Sequence, residues 1–194
     1  MPVFRRRPFT LHRRQLIGSV LPALLLSSCG PDLPPLLATP AAPYRLGVGD
    51  EVRVITFGET QLTGRFRVND SGEIAVPLLG LMQARGLTTA ELESRIAAAL
   101  RDRHLIRSPS VSVEVVAYRP IFILGEVNKP GQYPYQPGMT VLTVVAIAGG
   151  FTYRAVESHV RILRTITGTP VEGLASRGAY VQPGDVITVL ERYF

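Results

Sequence analysis

The stretch Gly125-Glu126-Val127-Asn128-Lys129-Pro130-Gly131-Gln132-Tyr133-Pro134-Tyr135-Gln136-Pro137-Gly138-Met139-Thr140, running on through Val141 to Ala148 and closing with Gly149-Gly150-Phe151-Thr152, decides the reading of the fold. Pro130-Gly131 and Pro137-Gly138 are turn dipeptides, because proline presets one φ and glycine accepts the positive φ of a tight turn. Between them, Gln132 to Gln136 fits only a short strand or edge segment. Thr140 stands where an N-cap belongs, and Val141 to Ala148 follows without a charge. A helix apolar all round is expected to be buried all round. Gly149-Gly150 stops it, since glycine takes the left-handed cap conformation without a Cβ clash. The unit predicts strand, turn, strand, buried helix and glycine stop, with almost no catalytic chemistry.

Charge excludes one class of partner. The formal charge is +6, yet Arg5, Arg6, Arg7, Arg13 and Arg14 lie in the first 28 residues, where there is no acid. Without them, 16 basic side chains face 15 acidic ones, and nothing favours nucleic acid. Residues 1–28 combine a basic start, an apolar run from Leu16 to Leu26 and small Ser27-Ser28, the pattern of a signal peptide. That run is too short for a hydrocarbon core, which needs roughly 20 residues. Arg13-Arg14 also fits a twin-arginine signal, and the ordinary secretory route stays open beside it.

Cys29 is the sole cysteine, so neither a disulfide nor a cysteine-based zinc site can form within the chain. Residues 29–43 hold five prolines and one charge, a composition that predicts a flexible tether. Periodicity begins at Tyr44. Val52, Val54 and Thr56 alternate as a strand after the Gly47-Val48-Gly49-Asp50 turn; Phe66 and Val68 mark a second, and Asn69-Asp70-Ser71-Gly72 is expected to join it to Glu73–Val76 as a hairpin. Thr88-Thr89-Ala90-Glu91 is a capping box opening a helix with a Leu92, Ile96, Ala99, Leu100 stripe, and Glu91 is placed to pair with Arg95. Val111, Val113 and Val115 alternate again. Ile121–Leu124 and Val160–Arg164 read as strands, Thr165–Arg177 as a polar excursion, and Val186–Leu190 as a last strand. Gly49-Asp50 and Gly184-Asp185 each precede an alternating strand, an echo too short to establish a repeat.

The motifs carry a resemblance that runs from the cysteine to the end of the chain. Leu26-Ser27-Ser28-Cys29 resembles a bacterial lipobox, which implies acylation of Cys29 and anchoring in the cell envelope, at the outer membrane given Gly30, with the domains in the periplasm. Tyr44–Asp50, Asp70–Ile74, Pro77–Gly80 and Gly86–Thr88 resemble the polysaccharide export sequence domain. Gly125–Val127, Lys129–Gly131, Gly138–Thr140 and Ala148–Thr152 resemble a soluble-ligand-binding β-grasp (SLBB) domain. The whole is similar to the Wza-type polysaccharide export lipoproteins. That resemblance implies an α+β chain of two small mixed modules, at residues 44–118 and 119–194, acting in capsular or exopolysaccharide export. It further implies a homo-oligomeric ring and an inner-membrane polysaccharide co-polymerase as partner. Channel-forming members carry another β-grasp module and a C-terminal amphipathic helix. This sequence stops at Glu191-Arg192-Tyr193-Phe194, so the expectation is a collar component without its own pore, served by a separate outer-membrane pore protein.

Bond chemistry has little foothold. His104 and His159 sit without motifs, no serine has a nucleophile-elbow context, and the acids are scattered singly. No enzyme, catalytic residue, metal or cofactor is expected. Tyr133 and Tyr135 share a side of an extended segment, which suits sugar stacking or a subunit contact. Arg154, Arg161 and Arg164 could meet an acidic polysaccharide or a neighbouring subunit, and the plainer alternative is the exposed face of a strand. Phe151-Thr152-Tyr153 is expected to pack back on the glycine stop. The functional alternative to a ring component is a monomeric periplasmic glycan-binding or sensing module.

Overall fold

Alternation makes the first strand. In a computed structural model that describes residues 33–36, 43–166 and 168–192, β1 (Glu51–Thr56) buries Val52, Val54 and Thr56 and turns Glu51, Arg53 and Ile55 outward. It is the centre of a three-stranded sheet. A short 3-10 turn at Thr60–Leu62 returns the chain to β2 (Gly64–Arg67), with Val52 opposite Phe66. On the other side lies β5 (Val111–Ala117), with Val54 opposite Val113.

The helix α1 (Thr89–Asp102) closes this core with Leu92, Ile96 and Leu100, each worth about 1.5–3 kcal/mol when fully buried. Its capping box is formed: the Thr88 hydroxyl accepts from the Glu91 amide, and the Glu91 carboxylate accepts from the Thr88 amide. Glu91 pairs with Arg45 at 3.0 Å and not with Arg95, because the cap turns its carboxylate toward the helix start. Glu93 ties the helix to β5, accepting from the Val113 amide at 2.8 Å.

The expected hairpin after Asn69 does not form. The strand β3 (Glu73–Val76) pairs with β4 (Gly80–Gln83) in a separate two-stranded ribbon. Two sets of backbone bonds explain why. Val68 is held beside the start of β1, exchanging bonds with Gly49 and Asp50, whereas the Gly72 carbonyl accepts from the amides of Ala84 and Arg85. Gly72 makes that turn possible: φ is +85° and a Cβ there would lie 2.6 Å from the Arg85 side chain.

The C-terminal half is a β-grasp. Strands β6 (Ile121–Gly125), β7 (Gly131–Tyr133), β8 (His159–Ile166), β9 (Thr169–Ser176) and β10 (Val186–Val189) form one sheet in the order β7-β6-β10-β8-β9, with α2 (Val141–Ile147) packed on it. Only β10 and β6 run parallel. Thr140 caps α2 by accepting from the Thr143 amide, and Gly149 and Gly150 both take positive φ beyond it.

Three expectations change here. The helix α2 buries Val141, Val144 and Val145 but leaves Leu142 and Ile147 each 47% exposed, since a single sheet can cover only one side of it. Thr165–Arg177 is no excursion, because most of it is β9, paired along its length with β8. Its tip stands in solvent, so burial reaches only Gly173 and Ala175 and leaves no periodic signal. Part of the tether is structured too: Pro35 bridges Leu174 in parallel, Leu36 donates to the Leu174 carbonyl at 2.7 Å, and Leu174 donates to that of Pro34 at 3.0 Å. A Cβ at Gly173 would press on the Pro34 oxygen at 3.0 Å, so glycine admits the strap. The remaining tether residues 29–32 and 37–42, Cys29 among them, and the leader lie outside the described residues.

Candidate functional site

The two Gly-Asp turns share one geometry. Asp50 accepts from the amide of Gly47 at 2.7 Å and Asp185 from that of Gln182 at 2.8 Å, so each carboxylate closes the turn three residues before it. Both aspartates are buried. A buried carboxylate needs further donors. Asp185 takes a two-pronged contact from the Arg164 guanidinium, with Nε at 2.9 Å and Nη2 at 2.7 Å. Asp50 takes the Tyr44 hydroxyl at 2.5 Å and the Arg119 amide at 2.8 Å, with Arg119 Nη1 at 3.9 Å.

Arg119 joins the halves. Its Nε donates to the Pro183 carbonyl at 2.9 Å, and the Gly184 amide donates to the Pro120 carbonyl at 3.1 Å. The guanidinium therefore lies between the two Gly-Asp turns. No side chain fits beneath it: a Cβ on Gly47 would fall 1.3 Å from Nη1, and one on Gly184 2.9 Å from Nε. Beside it run three tyrosines edge to face. Tyr44 and Tyr118 have ring centres 5.0 Å apart, and Tyr118 and Tyr135 5.3 Å apart. Burial, reinforced by the bond to Asp50, pushes the Tyr44 hydroxyl well above its ordinary pKa, and burial raises Tyr118 and Tyr135 as well. Nothing in the junction is a poised nucleophile or base; it is a lock.

The residues expected to meet a polymer are dispersed. The Tyr133 hydroxyl donates to the Lys129 carbonyl at 2.7 Å, and Tyr135 is engaged with Tyr118. Arg154 pairs with Glu191, and Arg161 lies 3.6 Å from Glu172. Arg164 is not on an exposed strand face. It is 4% exposed, because β8 alternates and Arg164 shares the inward face with Val160 and Ile162, while Arg161 points outward. Tyr153 stands 86% exposed, contrary to the expected packing; Phe151, bridged to Val127, packs on the core instead. Sequence reading passed over Arg119 and Tyr118, for which no local pattern signals a role. The Gly-Asp echo was visible and did carry meaning.

On the outer face of the β-grasp sheet lies an exposed apolar patch, bordered by Gln132, Glu172 and Arg161, that no described residue covers. Phe122, Val186 and Leu163 stand opposite one another on β6, β10 and β8, and Leu124 flanks them. Phe122, Leu124 and Leu163 are each at least 38% exposed. Among the described residues there is no cluster of acids, histidines or cysteines fit for a metal, and no helix long and apolar enough to cross a membrane.

Residues 38–116 match the family described as polysaccharide biosynthesis/export protein, and residues 120–175 match the SLBB domain. Fold and matches together resemble the polysaccharide-export class of protein, a family of transport components. The exopolysaccharide production protein ExoF of Rhizobium meliloti (strain 1021) is 38% identical over 118 residues, covering 55% of this chain and 28% of its own. The EPS I polysaccharide export outer membrane protein EpsA of Ralstonia nicotianae (strain ATCC BAA-1114 / GMI1000) is 26% identical over 195 residues, covering 83% and 50%. EpsA of Ralstonia solanacearum aligns to the same extent, covering 83% and 51%. The chain thus spans about half the length of these relatives or less. An export domain followed by an SLBB domain, with these relatives, supports a polysaccharide export protein of the Wza type.

Proposed function

We propose that the chain is a lipid-anchored envelope component of a capsular or exopolysaccharide export machine, whose copies assemble into a ring that guides the polymer. Acylated Cys29 holds it at the outer membrane, modules 44–118 and 119–194 stand in the periplasm, and an inner-membrane polysaccharide co-polymerase is its partner. The mechanism is steric. Shape and surface direct the chain of sugars, and no bond is made or broken.

The observation that carries this reading is the exposed apolar patch of Phe122, Val186, Leu163 and Leu124, uncovered among the described residues, on a body locked by Arg119. Contiguous apolar surface of this kind is characteristic of an interface, and a second copy of the chain is the occupant the ring supplies. The name of the EpsA relatives, outer membrane export proteins, supports the location.

Native mass spectrometry of the protein without its acyl chains is expected to show a closed oligomer. The pair F122E and L163E should shift it to monomer with an unchanged circular dichroism spectrum. A strain lacking the gene should lose surface polysaccharide; unchanged export would sink the reading. A second reading, a monomeric glycan-binding module, is favoured by the exposed rings of Tyr153 and Tyr180. It predicts a persistent monomer that binds sugar.

A further inference from the structure

The segment Arg101-Asp102-Arg103-His104-Leu105-Ile106-Arg107 ends α1 in an unusual way. The His104 amide donates to the Arg101 carbonyl at 2.9 Å and the Leu105 amide to that of Leu100 at 3.0 Å, the paired bonds of a Schellman stop. That stop places its next residue in the left-handed region, where glycine is the default, yet here the residue is histidine with φ +56°. A side chain has been kept at a steric cost. It lines an open cleft of about 510 Å³ together with Arg101, Ile106 and Arg107.

The cations there are not spent inside the protein. Arg103 is turned away, donating to the Leu78 carbonyl at 3.0 Å on the β3–β4 ribbon. Arg101 and Arg107 are exposed, and among the described residues neither has a carboxylate within ion-pair distance, Asp102 included. The helix dipole accounts for one cation in the last turn, which Arg101 provides. It does not account for Arg107, beyond the helix, or for histidine at the stop. Elsewhere in this half Arg53 pairs with Glu114 and Arg65 and Arg67 lie against Glu51, while exposed Arg85 and Arg95 have no carboxylate partner among the described residues. What sets the cleft apart is that two unpaired guanidiniums line one concave site, a local concentration of positive charge.

We propose that this cleft binds an anionic group of the transported polysaccharide, a carboxylate or phosphate substituent, with Arg101 and Arg107 as the forked donors, His104 as a third donor and Ile106 as the apolar floor beneath a sugar ring. This names the substrate class of the export reading and rests on it. Guanidinium groups match planar oxyanions two bonds at a time, which selects an acidic glycan over a neutral one.

The test is calorimetry of the full chain with oligogalacturonate, with dextran as the neutral arm and anionic phospholipid vesicles as the lipid arm. The expected result is binding of oligogalacturonate, weakened by added salt, and none of dextran. The double change R101Q and R107Q should weaken it at least tenfold, whereas R65Q with R67Q, an equal change of charge, should leave it unaltered. H104G should weaken binding a few-fold while raising the thermal midpoint, because glycine relieves the left-handed residue. A purely structural His104 would move the midpoint alone. Equal binding by R101Q/R107Q, equal binding of dextran, no binding of oligogalacturonate, or binding of vesicles alone overturns the inference. The export reading is judged separately, by surface polysaccharide in the deletion strain.

Discussion

At the scale of single residues, two buried aspartates close the Gly-Asp turns and depend on their donors. Asp185 and Arg164 are 1% and 4% exposed, so each depends on the other for charge compensation. Changing Asp185 to Ala should therefore destabilise the protein by about 3–5 kcal/mol in a denaturant titration, and the joint change D185L with R164M by much less. Equal losses in both would show that the ion pair is not the cause. Gly47 is a second such point. G47A forces the Arg119 guanidinium from its place beside Asp50 and the Pro183 carbonyl, so G47A and R119A should be strongly non-additive in a double-mutant cycle, with the second change costing little once the first is made. Tyr44 gives the junction a pH dependence. Its pKa is raised from 10.0, so the folded protein keeps the proton where the unfolded chain has lost it. That stability is complete below pH 10.0 and declines as pH climbs above it. Y44F should flatten the fall of stability above about pH 10 relative to the native chain, as followed by urea midpoints.

Among the elements, helix ends were legible and helix surroundings were not. The capping box at Thr88 announced the start of α1, because the chemistry of a cap is contained in four residues. Thr88→Ala should cost about 1 kcal/mol, measured by thermal unfolding. The helix α2 shows the converse. Its uncharged sequence suggested burial on every side, yet only the sheet below covers it. V144A should cost roughly 1–3 kcal/mol, whereas L142A should stay within about 0.5 kcal/mol in the monomer. The hairpin predicted after Asn69 failed for a related reason. A turn signal identifies where the chain reverses, and the partner of the next strand is chosen by backbone bonds that arrive from Ala84 and Arg85.

For the whole molecule, the question is what makes two small halves behave as one body. Modules of this size have little core each. Here the Arg119 contacts and the tyrosine row supply the missing restraint, and the Pro34–Leu36 strap adds a strand-like edge to β9. G173V should expel that strap, seen as loss of amide hydrogen-exchange protection at Leu36 and Leu174, with the β10 amides unaffected. Protection unchanged at Leu36 would refute the strap as a packed element.

Sequence alone determined the α+β class, most of the strands and the caps of both helices, because alternation, capping and turn chemistry act over a few neighbouring residues, and its motifs carried the resemblance to an export family. It also held the Gly-Asp echo, whose meaning was hidden. Tertiary structure decided that β3 leaves β2, that Arg164 turns inward and Arg161 outward, that Tyr133 and Tyr135 are internally engaged, and that Arg119 lies between two turns 135 residues apart, at Asp50 and Asp185. Those outcomes depend on which surfaces meet after the chain has closed on itself. No local pattern encodes the distance between residues so far apart in sequence.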